Sequence, residues 1–290
     1  MTRHWRSISL GPRRGFSLAE ILMAVLIGAV ALMGTVAMFW LYASHYERVD
    51  QSARARMRAE EAVVLLQDWI LNASVGVSAD RPSDAFPGVS SLSSWGGMVE
   101  VLDQGRRLRF IYGVPVGSCL VAADSVTVPT GKETVLTLSS PLPSDIFDTS
   151  STMKGWLAFP SGSSPLKIKE MNGTSVKVEN RVSQDVVLVP MDEVFALRAA
   201  DVQFRNGTIY VEDVTLTPSE PRTEQGAYAD VRFSLSPKGD ILTMHVLSRG
   251  GKPGKGMPQG WPSSFGTTLS SEDAGSHLVY ARTSWRMRNR

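Results

Sequence analysis

The stretch RRGFSLAEILMAVLIGAV, residues 13–30, decides the fold because it opens a long apolar segment near the start of the chain. From Ile21 to Ala43 the sequence carries 23 consecutive uncharged and mostly apolar residues. At about 1.5 Å per residue, such a helix is about 35 Å long and can cross a hydrocarbon core of about 30 Å. A cleavable secretory signal is the alternative, but its apolar region usually has about 7 to 15 residues. The sequence therefore predicts a membrane-spanning helix.

Glu20 is the one acid at the start of this segment, where a carboxylate is costly to place in a membrane. If the chain were cut between Gly15 and Phe16, the new α-amino group would lie one helical turn before Glu20. The amine and the positive end of the helix would both attract the carboxylate. The amine could also belong to a neighbouring subunit. We therefore predict that Glu20 pairs with a freed amine, in the same chain or in the next one.

The overall charge gives no reason to expect a nucleic-acid partner. The 290 residues contain 30 basic and 28 acidic side chains, for a net charge of +2. Without the four arginines that precede the apolar segment, 26 basic residues remain against 28 acidic ones, so no general basic field attracts phosphate. Four arginines also follow the segment closely, so loop charge does not decide its orientation. The single cysteine, Cys119, excludes an intrachain disulfide.

The helix is predicted to continue past the membrane, because residues 44–73 lack glycine and proline and are rich in strong helix formers. Apolar residues in this segment recur at spacings of four and seven, which predicts a stripe that faces a core. The stripe is formed by Val49, Ala53, Met57, Val64 and Leu71, with Val63, Leu66 and Ile70 beside it.

Beyond the helix, residues 75–94 form a Ser/Pro/Gly-rich stretch that predicts a loop. Short alternating segments then flank tight-turn sequences, which predicts hairpins and an antiparallel sheet. The five turn sequences are Gln104-Gly105, Pro129 to Lys132, Asn172-Gly173, Asn206-Gly207 and Lys238-Gly239.

No motif of catalysis or cofactor binding is present: the chain has no HExxH, no CxxC pair, no phosphate-binding GxxxxGK[ST] and no GxSxG. The acidic pairs Asp192-Glu193 and Glu272-Asp273 lack the ligand-dense spacing of a calcium loop. We therefore expect no catalytic residue, no metal, no cofactor and no enzymatic activity.

The C-terminal sequence RTSWRMRNR, residues 282–290, predicts a solvated basic tail. It contains four arginines and no acid: Arg282, Arg286, Arg288 and Arg290. The alternative is a nucleic-acid contact in which the arginines hold phosphate and Trp285 stacks on a base.

Arg13-Arg14-Gly15 followed by Phe16-Ser17-Leu18-Ala19-Glu20 resembles the class III signal of type IV pilins and type II secretion pseudopilins. In that family a membrane prepilin peptidase cuts after the glycine and methylates the new N-terminal phenylalanine, and the glutamate guides docking onto the filament. The resemblance implies cleavage between Gly15 and Phe16, N-methylation of Phe16 and an assembly role for Glu20. Ser17 departs mildly from the pattern, since threonine is commoner there.

The resemblance also implies an α+β fold in which a long N-terminal helix packs on a mainly antiparallel β head domain. The expected parts are a leader (1–15), a transmembrane and assembly helix (16–44), its amphipathic continuation (45–74) and the head (75–290). The helix end at 65–70 and the strand at 230–235 are similar to those of the larger minor subunits, the PilW-type minor pilins and the J-type pseudopilin.

The expected function is that of a minor structural subunit of a type IV pilus or a type II secretion pseudopilus. Its partners would be the prepilin peptidase, sister subunits, the inner-membrane assembly platform and membrane lipid. It would sit in the inner membrane as a single-pass protein with its head outside the cytoplasm, and then enter a periplasmic or extracellular filament. The alternatives are a membrane-anchored extracytoplasmic binding protein or enzyme, and a DNA-uptake pilin.

Overall fold

The computed structural model describes residues 15–78, 81–151, 153–214, 217–251 and 256–287. The chain divides into two compact units, Met1–Asp50 and Gln51–Arg290. The leader arginines at 13 and 14 lie outside the described residues.

A single helix, α1 (Leu18–Leu71), runs through 54 residues and contributes to both units. At about 1.5 Å per residue it is about 80 Å long. Its continuity confirms that the helix extends well beyond the apolar segment. Two further helices are each a single turn: α2 (Pro82–Ala85) and α3 (Ser271–Ala274).

The buried face of α1 agrees with the predicted one at Leu66 and Ile70 and differs from it elsewhere. Val49, Met57 and Val64, which we placed in the core, are 53%, 67% and 69% exposed. The side chains that are buried recur at spacings of three and four: Ala55, Ala59, Ala62, Leu66 and Ile70. Ala55 lies two residues before Met57, which is about 200° around the helix at 100° per residue. The core-facing stripe is therefore mostly alanine, because small side chains let the helix approach the sheet closely.

Strands make up most of the second unit. In chain order they are β1 (Val99–Leu102), β2 (Arg107–Cys119), β3 (Val126–Val128), β4 (Glu133–Thr137), β5 (Trp156–Ala158), β6 (Leu166–Asn172), β7 (Ser175–Glu179), β8 (Val186–Leu188), β9 (Glu193–Arg205), β10 (Thr208–Asp213), β11 (Thr217–Pro221), β12 (Tyr228–Leu235), β13 (Ile241–Arg249) and β14 (Leu278–Arg286).

These strands form three sheets in the described residues. The largest has the order β1-β2-β9-β5-β6-β7-β4, and β10 and β11 extend it from β9. Strand β9 is its centre, since it pairs with β2, β5 and β10. The others are β12-β13-β14 and the two-stranded β3-β8. Every strand pairing is antiparallel, so the predicted fold class, a long N-terminal helix packed on antiparallel sheets, is confirmed.

Four of the five predicted hairpins are confirmed: β1-β2, β6-β7, β9-β10 and β12-β13. The turn between β9 and β10 shows why its sequence was informative. Asn206 and Gly207 have φ of +50° and +74°, and a two-residue hairpin turn of this kind needs positive φ at both positions.

The hairpin predicted around Pro129 to Lys132 is wrong. The flanking strands turn away from each other: β3 pairs with β8, and β4 pairs with β7. The connecting loop is held by Asn180, a fully buried residue whose side-chain amide donates to the carbonyls of Val128 and Gln184 at 3.0 and 2.7 Å. The local turn bond from the Lys132 amide to the Pro129 carbonyl is present at 3.2 Å, but the Gly131 amide donates to the Asn180 carbonyl at 2.8 Å, so a distant turn positions this loop.

The stretch at 75–94 is mostly irregular in its described residues, as its composition predicted, but it is not confined to the surface. It supplies a compact core cluster with its apolar residues, and α2 and a 3₁₀ turn at Ser90–Leu92 fold it. Buried members from this stretch are Val75, Val77, Ala85, Phe86, Val89 and Leu92. Phe86 contacts Trp156 edge to face, with ring centroids 5.2 Å apart. Turn residues dominate the local sequence, while a few separated apolar residues determine its burial.

Candidate membrane and assembly segment

The start of α1 is fixed by a reciprocal pair of side chains, Ser17 and Glu20. The Ser17 hydroxyl accepts from the Glu20 amide at 3.2 Å, and Oε2 of Glu20 accepts from the Ser17 amide at 2.9 Å. The Ser17 hydroxyl also donates to Oε2 at 3.1 Å. This is a capping box, in which each side chain satisfies a backbone N–H that the helix leaves free.

The capping box was missed at the sequence level, although the pattern Ser-x-x-Glu before an apolar run was visible at residues 17–20. It shows that Glu20 has a local structural role besides the predicted pairing with an amine. Gly15 and Phe16 precede the helix, and Phe16 is 83% exposed. The predicted cleavage junction therefore lies outside the helix, immediately before the cap.

The apolar part of α1 is uncovered. Its side chains from Leu18 to Tyr42 are exposed, and by length and composition alone the helix can cross a membrane. Two hydroxyls in this part turn back onto the helix: Thr35 donates to the Ala31 carbonyl and Ser44 to the Leu41 carbonyl, each at 2.9 Å. Such internal bonds remove the cost of an unsatisfied polar group in hydrocarbon.

The later turns of α1 are fastened to the β sheets by hydrogen bonds to helix carbonyls. The Ser248 hydroxyl donates to the Ala55 carbonyl at 2.6 Å, and the Tyr228 hydroxyl donates to the Arg58 carbonyl at 2.9 Å. The Arg58 guanidinium in turn donates to the Arg249 carbonyl at 2.7 Å. These bonds surround the alanine face, where α1 packs in one core cluster with β12, β13 and β14.

Two glycines let the chain after β13 pass directly against the helix. A Cβ at Gly250 would lie 2.8 Å from the Gln51 carbonyl oxygen, and one at Gly251 would overlap the Gln51 side chain. The contact at Gly250 is with backbone, so a larger residue there would force the chain away from the helix, whereas at Gly251 the Gln51 side chain would have to move. Further along, Trp69 stacks on Tyr112 of β2 with ring centroids 5.0 Å apart.

The C-terminal arginines belong to a strand for as far as the structure describes them. Arg282 and Arg286 lie exposed on β14, which pairs with β13, so the prediction of a solvated tail is wrong for these residues. Trp285 is 6% exposed and packs in the same core cluster as α1, so its ring has no free face for a base. Arg288 and Arg290 lie outside the described residues.

Titratable groups elsewhere in the second unit are used for packing. His245 on β13 stacks on Tyr280, and its Nδ1 shares a 2.8 Å hydrogen bond with the Tyr280 hydroxyl. Burial, and then the charge of Arg282 opposite it, lowers the pKa of His245. Asp273 is held by Arg249 and caps α3 through Ser270. Among the described residues, no group of three or more His, Cys, Asp or Glu side chains is placed to hold a metal.

No protein-family model and no curated protein matches the chain. Among solved structures it is similar to a type IV-like pilin from Thermus thermophilus, with 14% sequence identity and a TM-score of 0.21. The match covers 32% of this chain and 67% of that protein. A likeness at this level does not indicate a function for the chain.

Proposed function

We propose that the protein is a non-catalytic structural subunit of a membrane-derived filament of the type IV pilus or type II secretion pseudopilus kind. It is a large minor subunit that is cut after Gly15, N-methylated on Phe16, and assembled through α1. Its partners are a prepilin peptidase, sister subunits, an inner-membrane assembly platform and membrane lipid. Before assembly it is held in the inner membrane with the head outside the cytoplasm.

The observation that carries this proposal is that the two ends of α1 have different surroundings. One helix presents an uncovered apolar first half and a last third that is embedded in β structure. A glycine–phenylalanine junction and an acid lie directly at the start of that apolar half. A plain membrane anchor needs neither feature, whereas a helix that must leave the lipid and pack among identical helices uses both.

The geometry of Glu20 leaves room for the pairing that the proposal requires. The capping box uses Oε2, and Oε1 has no hydrogen-bond partner among the described residues. A carboxylate offers about four acceptor positions, so Oε1 can accept from an ammonium while the cap stays intact. After cleavage, the ammonium of Phe16 in the same chain or in a neighbour supplies that donor.

Mass spectrometry of the mature N-terminus tests processing. We expect the protein from its native host to begin at Phe16 and to carry one additional methyl group. A chain that begins at Met1, or one that has been cut within or after the apolar segment as by signal-peptide cleavage, would contradict the proposal. The rival classes, a membrane-anchored binding protein or an enzyme, predict an unmethylated N-terminus.

A pair of variants separates capping from assembly. Glu20→Gln keeps an acceptor oxygen for the cap but removes the charge, whereas Ser17→Ala removes the cap but keeps the charge. We expect Glu20→Gln to abolish incorporation into sheared filaments and Ser17→Ala to retain most of it. Equal incorporation of Glu20→Gln and the unaltered chain would refute the ion-pair role.

The DNA-uptake alternative is weakened by the burial of Trp285, because stacking was its main support. Filter binding by the full-length protein in detergent tests what remains of it, with Arg282→Gln and Arg286→Gln as variants. Absent or salt-insensitive binding would exclude this alternative.

A further inference from the structure

A small pocket lies beside β5 and β6 of the large sheet. Its volume is about 160 Å³. Two short segments, residues 87–89 and 149–151, line it together with Trp156, Lys167 and Arg181. The walls are apolar on the Trp156 and Pro87 side, and the charged groups that line it are both cations.

Lys167 is the central group of this pocket. It lies directly opposite Trp156 in the β5-β6 pairing, and its Nζ is 5.6 Å from the centre of the Trp156 ring. Only 9% of the residue is exposed. The ammonium donates to the Ser151 carbonyl at 2.7 Å, and any side chain at Gly155 would overlap it. The missing side chain at Gly155 therefore leaves room for Lys167, which is itself buried.

No carboxylate of the described residues forms an ion pair with this buried ammonium, and Asp148 acts on it only through its charge at longer range. Among the described residues Lys167 forms no ion pair, and its one hydrogen-bond acceptor is a neutral carbonyl. Burial, and then the positive charge of Arg181, lowers the pKa of Lys167. A lysine ammonium has three donors, so two remain without an acceptor. A buried charge in this condition is costly unless an anion joins it.

Arg181 adds a second set of free donors. Its Nε donates to Glu179 at 2.6 Å, and its two outer nitrogens have no acceptor among the described residues. Glu179 is itself shared with Lys169 at 3.0 Å, so one carboxylate serves two cations. The other nearby acid, Asp148, accepts from the Ser150 hydroxyl and amide. Positive charge is therefore in excess at the pocket.

We propose that the pocket formed by Lys167, Arg181 and Trp156 binds a tetrahedral oxyanion of the phosphate or sulfate type. The lysine supplies a point charge and the arginine a planar fork, the two donor geometries that bind such anions. The pocket has about five times the roughly 30 Å³ that one water occupies in the liquid, so the anion fits with bound water. The site goes beyond the structural role proposed above and does not depend on it.

The competing interpretation is that Lys167 serves packing alone, through Trp156 and the Ser151 carbonyl. The two interpretations differ in what a small anion does to the protein. A packing lysine gives no saturable binding, whereas a binding lysine gives a single site that is lost with its charge.

The test is isothermal titration of the full-length chain in a nonionic detergent at low ionic strength. The probes are inorganic phosphate, sulfate, glycerol phosphate and acetate. We expect one saturable site for phosphate or sulfate and at least tenfold weaker binding of acetate. Binding of glycerol phosphate would extend the site to phosphate monoesters, and its failure would confine the site to the free ion.

Three variants complete the design. Lys167→Met should abolish binding, and Arg181→Gln should weaken it about tenfold. Lys177→Gln is the matched control, because Lys177 is an exposed lysine on β7 that pairs with Glu133 outside the pocket. If Lys167→Met fails to fold, the partly exposed Arg181 decides the test.

The proposal is overturned if the unaltered chain shows no saturable binding of phosphate or sulfate, or if Arg181→Gln binds as well as Lys177→Gln. Acetate binding as tight as phosphate binding would overturn the assignment to tetrahedral anions. A phosphate-dependent rise in melting temperature that is present in the unaltered chain and in Lys177→Gln, but absent in Arg181→Gln, gives an independent measure of the same site.

Discussion

Replacing Leu66 by alanine tests which face of α1 holds the β sheets. Leu66 is 0% exposed, and the change deletes three carbons from the core that α1 shares with β12 and β13. At about 0.8 kcal/mol per carbon, the lost burial is about 2.4 kcal/mol, and an incompletely closed cavity raises the cost to about 3 kcal/mol. For a domain of this size, each kcal/mol lowers the melting temperature by about 2–4 °C.

The matched control is Val64→Ala, two residues away on the same helix. Val64 is 69% exposed, so the two deleted carbons were already largely in water. Alanine also has the higher helix propensity, and we expect a change within about 0.5 kcal/mol. The stripe predicted from the sequence places Val64 in the core beside Leu66, and it therefore predicts a substantial cost for Val64→Ala as well.

The measurement is a near-ultraviolet circular dichroism melt of the full-length chain in detergent, in which Trp69 and Trp285 report on the shared core. We expect Leu66→Ala to melt about 6–12 °C below the unaltered chain and Val64→Ala to melt within about 2 °C of it. Equal shifts, or a larger shift for Val64→Ala, would refute the assignment of the buried face.

Three further changes have defined outcomes. Ser17→Ala removes the capping box with Glu20 at a cost of about 1 kcal/mol, so amide hydrogen exchange in the first turn of α1 should quicken about fivefold, and unchanged exchange would contradict the cap. Because the pKa of His245 in the folded protein is lower than 6.5, the unfolded chain takes up the proton first, and stability should fall below pH 6.5 by at most about 1.4 kcal/mol per pH unit. His245→Gln should remove that part of the slope in melts between pH 5 and 8, and an identical slope would exclude His245 as its source. Asn180→Ala removes the side-chain donor to the buried Val128 carbonyl and to the partly exposed Gln184 carbonyl and should lower stability by about 2 kcal/mol in thermal melts, whereas a shift below 2 °C would show that the end of β3 does not depend on it.

Local chemistry made much of the fold predictable. The turn at Asn206 and Gly207 needs backbone angles that few residues adopt, so two letters of sequence located a hairpin correctly. The loop after β3 carries similar turn residues, but the side chain of Asn180, some fifty positions later, determines its course. No local pattern contains that partner, and the hairpin prediction was wrong for this reason.

The buried face of α1 was mispredicted because hydrophobicity and burial are different properties. Val49, Met57 and Val64 are larger and more apolar than Ala55 and the other alanines, so a count of apolar spacing selects them. The buried face is instead rich in alanine, because small side chains let α1 pack close to the sheet. At 75–94 the turn-forming residues predicted a loop, but they gave no sign that six apolar side chains of the described residues pack in a core.

At the start of the chain, the resemblance indicated Gly15, Phe16 and Glu20, and the structure adds the role of Ser17. A capping box can be recognised from sequence alone, but Glu20 was interpreted through its charge, and its hydrogen bonds to Ser17 were not predicted. The anion pocket could not have been found in this way. Lys167 and Arg181 are ordinary cations in the sequence, and the excess of positive charge at the pocket depends on the pairing of β5, β6 and β7.

The contacts of the alanine face extend from Ala55 to Ile70, about four turns or roughly 22 Å along the helix axis. A tensile force applied along that axis would load these contacts in shear and simultaneously, so that they resist together instead of being peeled apart one after another. Rupture would require all of these contacts to slide at once. The hydroxyls of Ser248 and Tyr228 would have to release the helix carbonyls in the same event. The head is thus joined to its helix in the geometry that best withstands pulling.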